Sequence, residues 1–373
     1  MDASRSIRDA RDTRVIRCHA LIVGGGPGGS TCARILRQAG WDVVVIDRAR
    51  FPRDKVCAGW LTPEVFHLLD LDPADYKAAG HTIQEITGFR TGTIGGRLID
   101  TRYPRIVSYA IRRCEFDDFL LRRSGARVLD GTAVETLRRD ASTWVVNENI
   151  EASVIVGAGG HFCPVARHLR AGADTRRPVV AKEAEFRLRR PPDGLDSSMP
   201  ELFFCRDMEG YGWCVRKGDY LNIGIGRRTS RDFASHVRSF IAFLERRYPL
   251  TDASSIQWRG HAYLAAGAGP RPLIDEGLLL VGDAAGLAYP ESGEGIRPAI
   301  ESGRLAAKAL LAAHGRVGID ALRPYATAIR QLYPAPVSLP RVLRSASAAI
   351  GRALLGSPAF TRHVVLERWF LRS

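Results

Sequence analysis

Apolar positions near the N-terminus change period twice. His19-Ala-Leu-Ile-Val23 is a short apolar run that ends in Gly24-Gly25-Gly26-Pro27-Gly28-Gly29, the pattern of a buried strand entering a tight turn. From Ser30 to Gly40, Cys32, Ala33, Ile35 and Leu36 fall at helical spacing and a glycine closes the segment, which predicts a helix with its C-cap. Trp41 to Ile46 reads as a second strand ending at Asp47. Strand, helix and strand make a β-α-β unit of about thirty residues.

Further along, 106–122 predicts a strand turning into a helix, and Val128 to Leu137 and Trp144 to Val156 predict further strands. Between 180 and 228 the pattern alternates, in Ala184-Glu-Phe-Arg-Leu, Leu202-Phe-Phe and Tyr220-Leu-Asn-Ile-Gly-Ile, as in an antiparallel sheet. Gly277-Leu-Leu-Leu-Val281 restores the first style. The expected fold is α/β: a discontinuous Rossmann-like nucleotide-binding domain (15–80, 104–168 and 256–324), an inserted antiparallel-sheet substrate domain (81–103 and 169–255) and a C-terminal helical tail (325–373). In the tail Leu339, Val342, Leu343, Ala346, Ile350 and Leu354 recur at helical spacing beside Arg341, Arg344 and Arg352, and seven Arg stand against Glu367. Two readings fit this tail: an interfacial helix on an anionic membrane, or a packed helix with a solvated basic face.

Composition narrows the classes. The 373 residues, 45 % hydrophobic and 25 % charged, have the length and balance of a soluble globular protein with an extensive core. No apolar run reaches the length of a membrane span. A net charge of +14 invites a polyanionic partner. Only five basic residues are Lys (Lys55, Lys77, Lys182, Lys217, Lys308), however, and the arginines are spread over the whole chain without a recognition motif. Nucleic acid is therefore not expected as a partner. Seven scattered cysteines without a Cys-x-x-Cys pair suggest neither a zinc site nor a disulfide framework. No metal is expected, and the expected setting is a reducing cytoplasm. Residues 1–17 mix Arg and Asp without an apolar core and read as a frayed leader, not a signal peptide.

The candidate chemistry begins at Gly24-x-Gly26-Pro27-Gly28-Gly29. Between a strand and a helix, Gly26 lets backbone N–H groups approach a pyrophosphate and Gly29 lets the helix pack on the strand. Asp47, beside Arg48 at the end of the second strand, stands close to the spacing of a carboxylate that accepts ribose hydroxyls. A second signature, Leu280-Val-Gly282-Asp283-Ala-Ala-Gly286 followed by Gly293-Glu-Gly295-Ile296 and a helix from Pro298 to Leu310, favours FAD over a nicotinamide. Asp283 suits a ribityl hydroxyl, and the glycine loop offers N–H donors and a positive helix end to the flavin.

With these motifs the chain resembles the geranylgeranyl reductase family, within the para-hydroxybenzoate-hydroxylase-type FAD-dependent oxidoreductases that also hold the flavin-dependent halogenases. The resemblance covers roughly residues 19–310. It rests on the N-terminal fingerprint, Lys55-Val-Cys57-Ala58-Gly59, Arg113-x-x-Phe116-Asp117-x-x-Leu120, and Gly282-Asp283 with Gly293-x-Gly295-Ile296. It implies an adenosine ribose on Asp47, FAD on the Gly28 turn and on Arg113, and the ribityl chain on Asp283. Cys57 and Ala58 would lie near the isoalloxazine, with Gly295 and Ile296 at its pyrimidine edge. Arg113 also reads as a helix-start arginine paired with Asp117 or Glu115. Cys57, the catalytic candidate, is either a thiol near flavin N5 that tunes the ring or helps deliver a proton, or a small buried filler.

Three departures from the family pattern bear on function. Gly157-Ala158-Gly159-Gly160-His161 lacks the usual carboxylate, which weighs against direct use of NAD(P)H through that element; the electron donor is either NAD(P)H or a protein. Tyr211-Gly-Trp213-Cys214-Val215-Arg216-Lys217 keeps the Tyr and Trp of the family's cavity-lining stretch but not its Phe-Pro, and makes Tyr211 and Trp213 the substrate candidates. Trp60 stands where the family tends to have glycine. His161, His261 and Tyr263 are weaker candidates. The expected activity is reduction of carbon–carbon double bonds of an isoprenoid or other small apolar substrate by hydride transfer from reduced flavin. The alternatives are a monooxygenase or halogenase-like enzyme acting on an aromatic or natural-product substrate, or a flavin binder without catalysis. The expected location is cytoplasmic, with peripheral contact of the tail at the membrane inner face.

Overall fold

The computed structural model describes residues 15–170, 178–248, 256–266, 272–334 and 349–372. The strand Ile16–Val23, buried over its last four residues, lies inside an eight-stranded sheet. It pairs in parallel with Val43–Asp47 on one side and Ile150–Gly157 on the other. Arg127–Asp130 and Leu278–Leu280 extend the parallel set outward. A parallel sheet needs cover on both faces, which is why these strands are nearly unbroken runs of Val, Ile and Leu.

The helix between the first two strands is Pro27–Gln38, three residues longer at its start than the periodicity predicts. Proline's fixed φ suits the first helical turn, and Gly26 takes the N-cap. The strand expected over Val128 to Leu137 is two strands, Arg127–Asp130 and Leu137–Asp140, in different parts of the sheet. Gly131, at φ +71°, turns the chain between them. The Asn147 amide then holds the intervening loop, donating to Ala133 O and accepting from Glu135 N. Trp144 to Val156 likewise divides at a turn in which Asn147 and Glu148 take left-handed φ.

The helix Ile296–Ala312 lies directly on Pro27–Gln38. A Cβ on Gly303 would meet the carbonyl oxygen of Gly28 at under 3.0 Å, and a Cβ on Gly28 would meet that of Ala299 as closely. The helix Ile319–Leu332 runs across the tail boundary expected at 324/325. Its Leu322, Tyr325, Ala326 and Ile329 join the core of the parallel sheet, and the Tyr325 hydroxyl donates to Leu280 O at 2.5 Å.

A second, seven-stranded sheet holds Val179–Arg187, Tyr220–Arg227, Gly210–Lys217 and Glu201–Phe204 at its centre, all antiparallel neighbours. One face packs Phe203, Cys214 and Ile223 on the helix Phe233–Arg247 through Val237, Phe240 and Leu244. The other face carries Leu202, Phe204, Trp213 and Val215 toward Trp60, Phe89 and a C-terminal π-helix, Thr361–Leu371. Gly224 leaves room for the Trp213 ring, which a Cβ there would overlap. Of the tail stripe, Leu339, Val342, Leu343 and Ala346, with Arg341 and Arg344, lie outside the described residues. Ile350 and Leu354 lie in helical residues 349–355 and are exposed.

Gly303→Ala should lower the unfolding free energy by about 1–3 kcal/mol, the usual effect of overpacking a tight core. Denaturant unfolding measures this, and an unchanged midpoint would mean that the two helices are free to separate.

Candidate active site

One cavity of about 1850 Å³ runs between the two sheets, well above the roughly 300–1,000 Å³ of ordinary small-molecule pockets. At one end lies the glycine turn. Gly26 caps Pro27–Gln38 without a side-chain hydrogen bond to the first turn, so the helix start presents its amides and its positive dipole end to the cavity. Gly24, Gly26, Pro27 and Gly28 line the wall. Gly29 instead packs inward, where a Cβ would collide with Gly24 O. Asp47 and Arg48 line the wall at the end of their strand. The Asp47 carboxylate accepts from Gly25 N and Ala49 N, both at 2.9 Å.

Midway along the cavity, Arg113 donates through Nε and Nη2 to the two oxygens of buried Asp117, at 2.8 Å each. Arg53 Nη1 reaches the same carboxylate at 3.2 Å. Arg113 is thus the helix-start arginine paired with Asp117, and it also lines the cavity. Nearby stands a chain of polar groups that the sequence motifs do not single out as a unit. Lys55 Nζ lies 2.6 Å from His261 Nε2, which lies 3.8 Å from Asp283 Oδ2. Burial pulls the Lys55 ammonium down to about 8, despite Asp283. Burial also lowers His261, with Lys55 adding to it against Asp283. Burial alone would raise Asp283, but His261, Lys55 and Arg113 outweigh it and hold the carboxyl below the usual range. His261 is therefore closer to the chemistry than its isolated place in the sequence suggests.

The loop Gly293, Glu294, Gly295 and Ile296 lines the same cavity, as does Gly282. Gly295 caps the helix Ile296–Ala312, again without a side-chain hydrogen bond. Gly293 has φ +71°, and a Cβ there would strike the Tyr263 hydroxyl. Burial pushes the Glu294 carboxyl up to about 7, against Arg297 and Arg372. Cys57 and Ala58, in a loop, also line the cavity; the Cys57 sulfur accepts from Gly59 N at 3.3 Å.

Beyond this loop the cavity wall turns aromatic. Tyr211 and Trp213 lie with ring centroids 6.1 Å apart, and the Tyr211 hydroxyl donates to Ser292 O of the glycine loop. Phe370 packs against Trp60 at 5.2 Å and against Tyr211 at 5.4 Å. Trp369 lines the cavity beside them. These two C-terminal aromatics are residues the sequence motifs missed, and their signal was only a Trp-Phe pair in a segment without family pattern. His161 packs edge-on against Phe162 and is not among the residues lining the cavity.

The residues present fit an FAD: two helix starts and a glycine turn face one long cleft, and at Gly26 a Cβ would fill cleft space beside only the Arg53 side chain. Comparison with known proteins agrees. The FAD binding domain family matches residues 17–193. The chain is 29 % identical over 332 residues to the digeranylgeranylglycerophospholipid reductase of Methanothrix thermoacetophila, covering 83 % of this chain and 82 % of the relative. It is 31 % identical over 330 residues to the menaquinone reductase of Mycobacterium tuberculosis, covering 78 % of this chain and 76 % of the relative. Among solved structures, a geranylgeranyl bacteriochlorophyll reductase-like protein from Thermoplasma acidophilum shares the fold, with a TM-score of 0.71 at 21 % identity over 91 % of this chain and 88 % of that one. The cleft, its two glycine signatures and these relatives together identify the chain as a member of the FAD-dependent oxidoreductase family that includes the geranylgeranyl and menaquinone reductases.

Proposed function

We propose that this FAD-dependent oxidoreductase reduces a carbon–carbon double bond in an isoprenoid or similarly apolar substrate. The observation that carries the reading is the aromatic compartment of Trp60, Phe204, Tyr211, Trp213 and Trp369, continuous with the cofactor cleft in a single cavity. An apolar chain is the ligand that such walls desolvate well. The names of the relatives, reductases of a digeranylgeranyl lipid and of menaquinone, support the same substrate class.

Reduced FAD supplies the hydride chemistry when bound. The chain's own residues do the rest. The N–H groups of Gly26 and Gly28 would hold the pyrophosphate, Asp47 with Arg48 would hold the adenosine ribose, and Arg113 would brace the cofactor from the facing helix. Asp283, beside Gly282, would take a ribityl hydroxyl, and the loop of Gly293, Gly295 and Ile296 would offer backbone N–H groups to the flavin. Cys57 and Ala58 border the ring, where the Cys57 thiol tunes its surroundings. Tyr211 and Trp213 orient the alkene and exclude water, so that reacting atoms meet in a fixed geometry. Gly157 to Gly160 carries no carboxylate, leaving NAD(P)H or a protein as electron donor. Among the described residues no helix is long and apolar enough to cross a membrane. Exposed Ile350 and Leu354 support a cytoplasmic enzyme that touches a membrane surface to reach a lipid substrate.

Asp47→Ala should weaken FAD binding by roughly tenfold or more, since a hydrogen bond to a charged group contributes about 1.5–3 kcal/mol. Fluorescence titration with FAD reads this, and an unchanged affinity would remove Asp47 from the ribose site.

The reaction itself is tested with photoreduced holoprotein under anaerobic conditions and a polyprenyl lipid. The expected product is two hydrogens heavier than the substrate by mass. A product one oxygen heavier, seen only when labelled oxygen is admitted, would overturn the reductase reading in favour of a monooxygenase. A halogenated product formed with oxygen and halide would overturn it in favour of a halogenase.

A further inference from the structure

Between the Cys57 loop and the second sheet lies a buried polar cluster to which the proposed reaction gives no role. Glu183 projects from Val179–Arg187 and its Oε2 accepts from Cys57 N at 2.6 Å. Asn222, on Tyr220–Arg227, donates from Nδ2 toward Cys57 O at 3.3 Å, Glu185 Oε2 at 3.2 Å and Glu183 Oε2 at 3.4 Å. The Asn222 side-chain oxygen accepts from Trp213 Nε1 at 2.7 Å. Glu183, Asn222 and Trp213 are all buried. Both polar groups of the Cys57 peptide are therefore satisfied by side chains of the substrate-domain sheet and not by backbone pairing.

This is an expensive arrangement to build. A buried carboxylate loses its hydration and is tolerated only with hydrogen bonds and opposite charge nearby. Fully buried Lys217 places Nζ 2.7 Å from Glu185 Oε2, and Arg112 Nε stands 3.0 Å from Glu185 Oε1. Both cations pair with Glu185, Arg112 also pairing with Glu115 at 2.8 Å, and they hold the Glu185 carboxyl below the usual range against the effect of burial. Glu183 also has as neighbours Arg259, across the sheet and paired with Asp54, and Lys55 and Arg113, which share a small cavity with it. Burial prevails there and pushes Glu183 up to about 7, although Lys217 and the Cys57 N–H oppose it. A structural anchor for a loop could have been an Asn or a Ser without this cost.

We propose that Glu183 and Asn222 are positioning residues that fix the Cys57 peptide at the cavity wall and join it rigidly to Trp213. The loop bordering the cofactor and the wall bordering the substrate then form one unit. The inference rests on the reading of Cys57 as a neighbour of the flavin ring. Hydrogen bonds to an ionised acceptor are roughly twice as strong as neutral ones. The Cys57 peptide is therefore held more firmly when Glu183 is a carboxylate than when it is an acid, and the loop tightens as pH rises through about 7.

The test measures alkylation of Cys57 by iodoacetamide in FAD-loaded protein, read by mass spectrometry of the peptide that contains it. Rates in Glu183→Gln and wild type are each divided by the protein's own Cys57 thiolate fraction, read from an ultraviolet thiolate titration against the Cys57→Ser variant, and the corrected rates are compared as a ratio at the same pH. The expected ratio is near one on the acid side of 7 and rises several-fold on the alkaline side, because the amide keeps the acceptor but cannot ionise. Glu183→Ala and Asn222→Ala should be alkylated roughly tenfold faster throughout. A ratio independent of pH overturns the inference, whether or not the alanine variants fold. The flavin spectrum of Cys57→Ser separates the two readings: if it matches wild type, Cys57 is not a neighbour of the ring, while the alkylation ratio still decides whether Glu183 holds the loop.

Discussion

The structure depends on three segments meeting with almost no space between their backbones: the turn Gly24 to Gly29, the chain leaving the strand Ile150–Gly157 at Ala158, and the middle of the helix Ile296–Ala312 at Gly303. A Cβ on Gly24 would strike Ala158 O, one on Gly29 would strike Gly24 O, and one on Gly303 would strike Gly28 O. Segments far apart in sequence are thereby brought to one point, and only residues without side chains permit it. The contact fixes the ends of the parallel strands relative to the helices Pro27–Gln38 and Ile296–Ala312. Both helices then begin at the same cleft, with their positive dipole ends beside it. An anionic cofactor bound there meets two positive helix ends at once, which a single glycine-rich turn would not provide.

The second sheet supplies what the first cannot. Its outer face is satisfied by Phe233–Arg247, with Phe240 filling the space above Gly212. Its inner face would leave Phe204, Tyr211 and Trp213 exposed to water, and only part of that surface is covered by Val365, Leu366 and Phe370. The remainder borders the cavity. A polar cleft and an apolar compartment therefore share one boundary, at the Cys57 loop and at the hydrogen bond between Tyr211 and Ser292. Geometry at that boundary decides how an apolar substrate stands to the cofactor, and each side of it is tied to the sheet.

Much of this was legible in the chain. Gly24 to Gly29, the apolar run ending at Asp47, and Gly282-Asp283 with Gly293 and Gly295 are local patterns, and local patterns survive translation into structure because the backbone itself requires them. The alternating runs after residue 180 marked the second sheet for the same reason. The strand breaks at Gly131 and Asn147 were not legible, because they depend on turn geometry that an apolar period does not encode. Less legible still were the Lys55, His261 and Asp283 chain and the Glu183 and Asn222 pair. Their members lie on different strands, loops and a short helix, and no sequence pattern joins them. Phe370 and Trp369 joined the aromatic compartment through tertiary packing, with no motif to announce them.

Charge illustrates the same difference between composition and structure. A net charge of +14 reads as an outward property, yet many arginines are directed inward. Arg113 and Arg53 converge on Asp117, Arg90 and Arg247 on Glu201, and Arg112 with Lys217 on Glu185. Asp117 and Glu201 are almost wholly buried. Each is a carboxylate that would be severely destabilised alone, and the planar guanidinium, with its several donors, satisfies it from two directions. These pairs lie on the elements that frame the cavity: the helix Arg113–Arg123, the strands of the second sheet, and the loop that carries Arg53. Part of the basic excess is therefore the counterpart of carboxylates placed inside the protein. Arg113, which lines the cavity, is held in position by the same carboxylate that neutralises it.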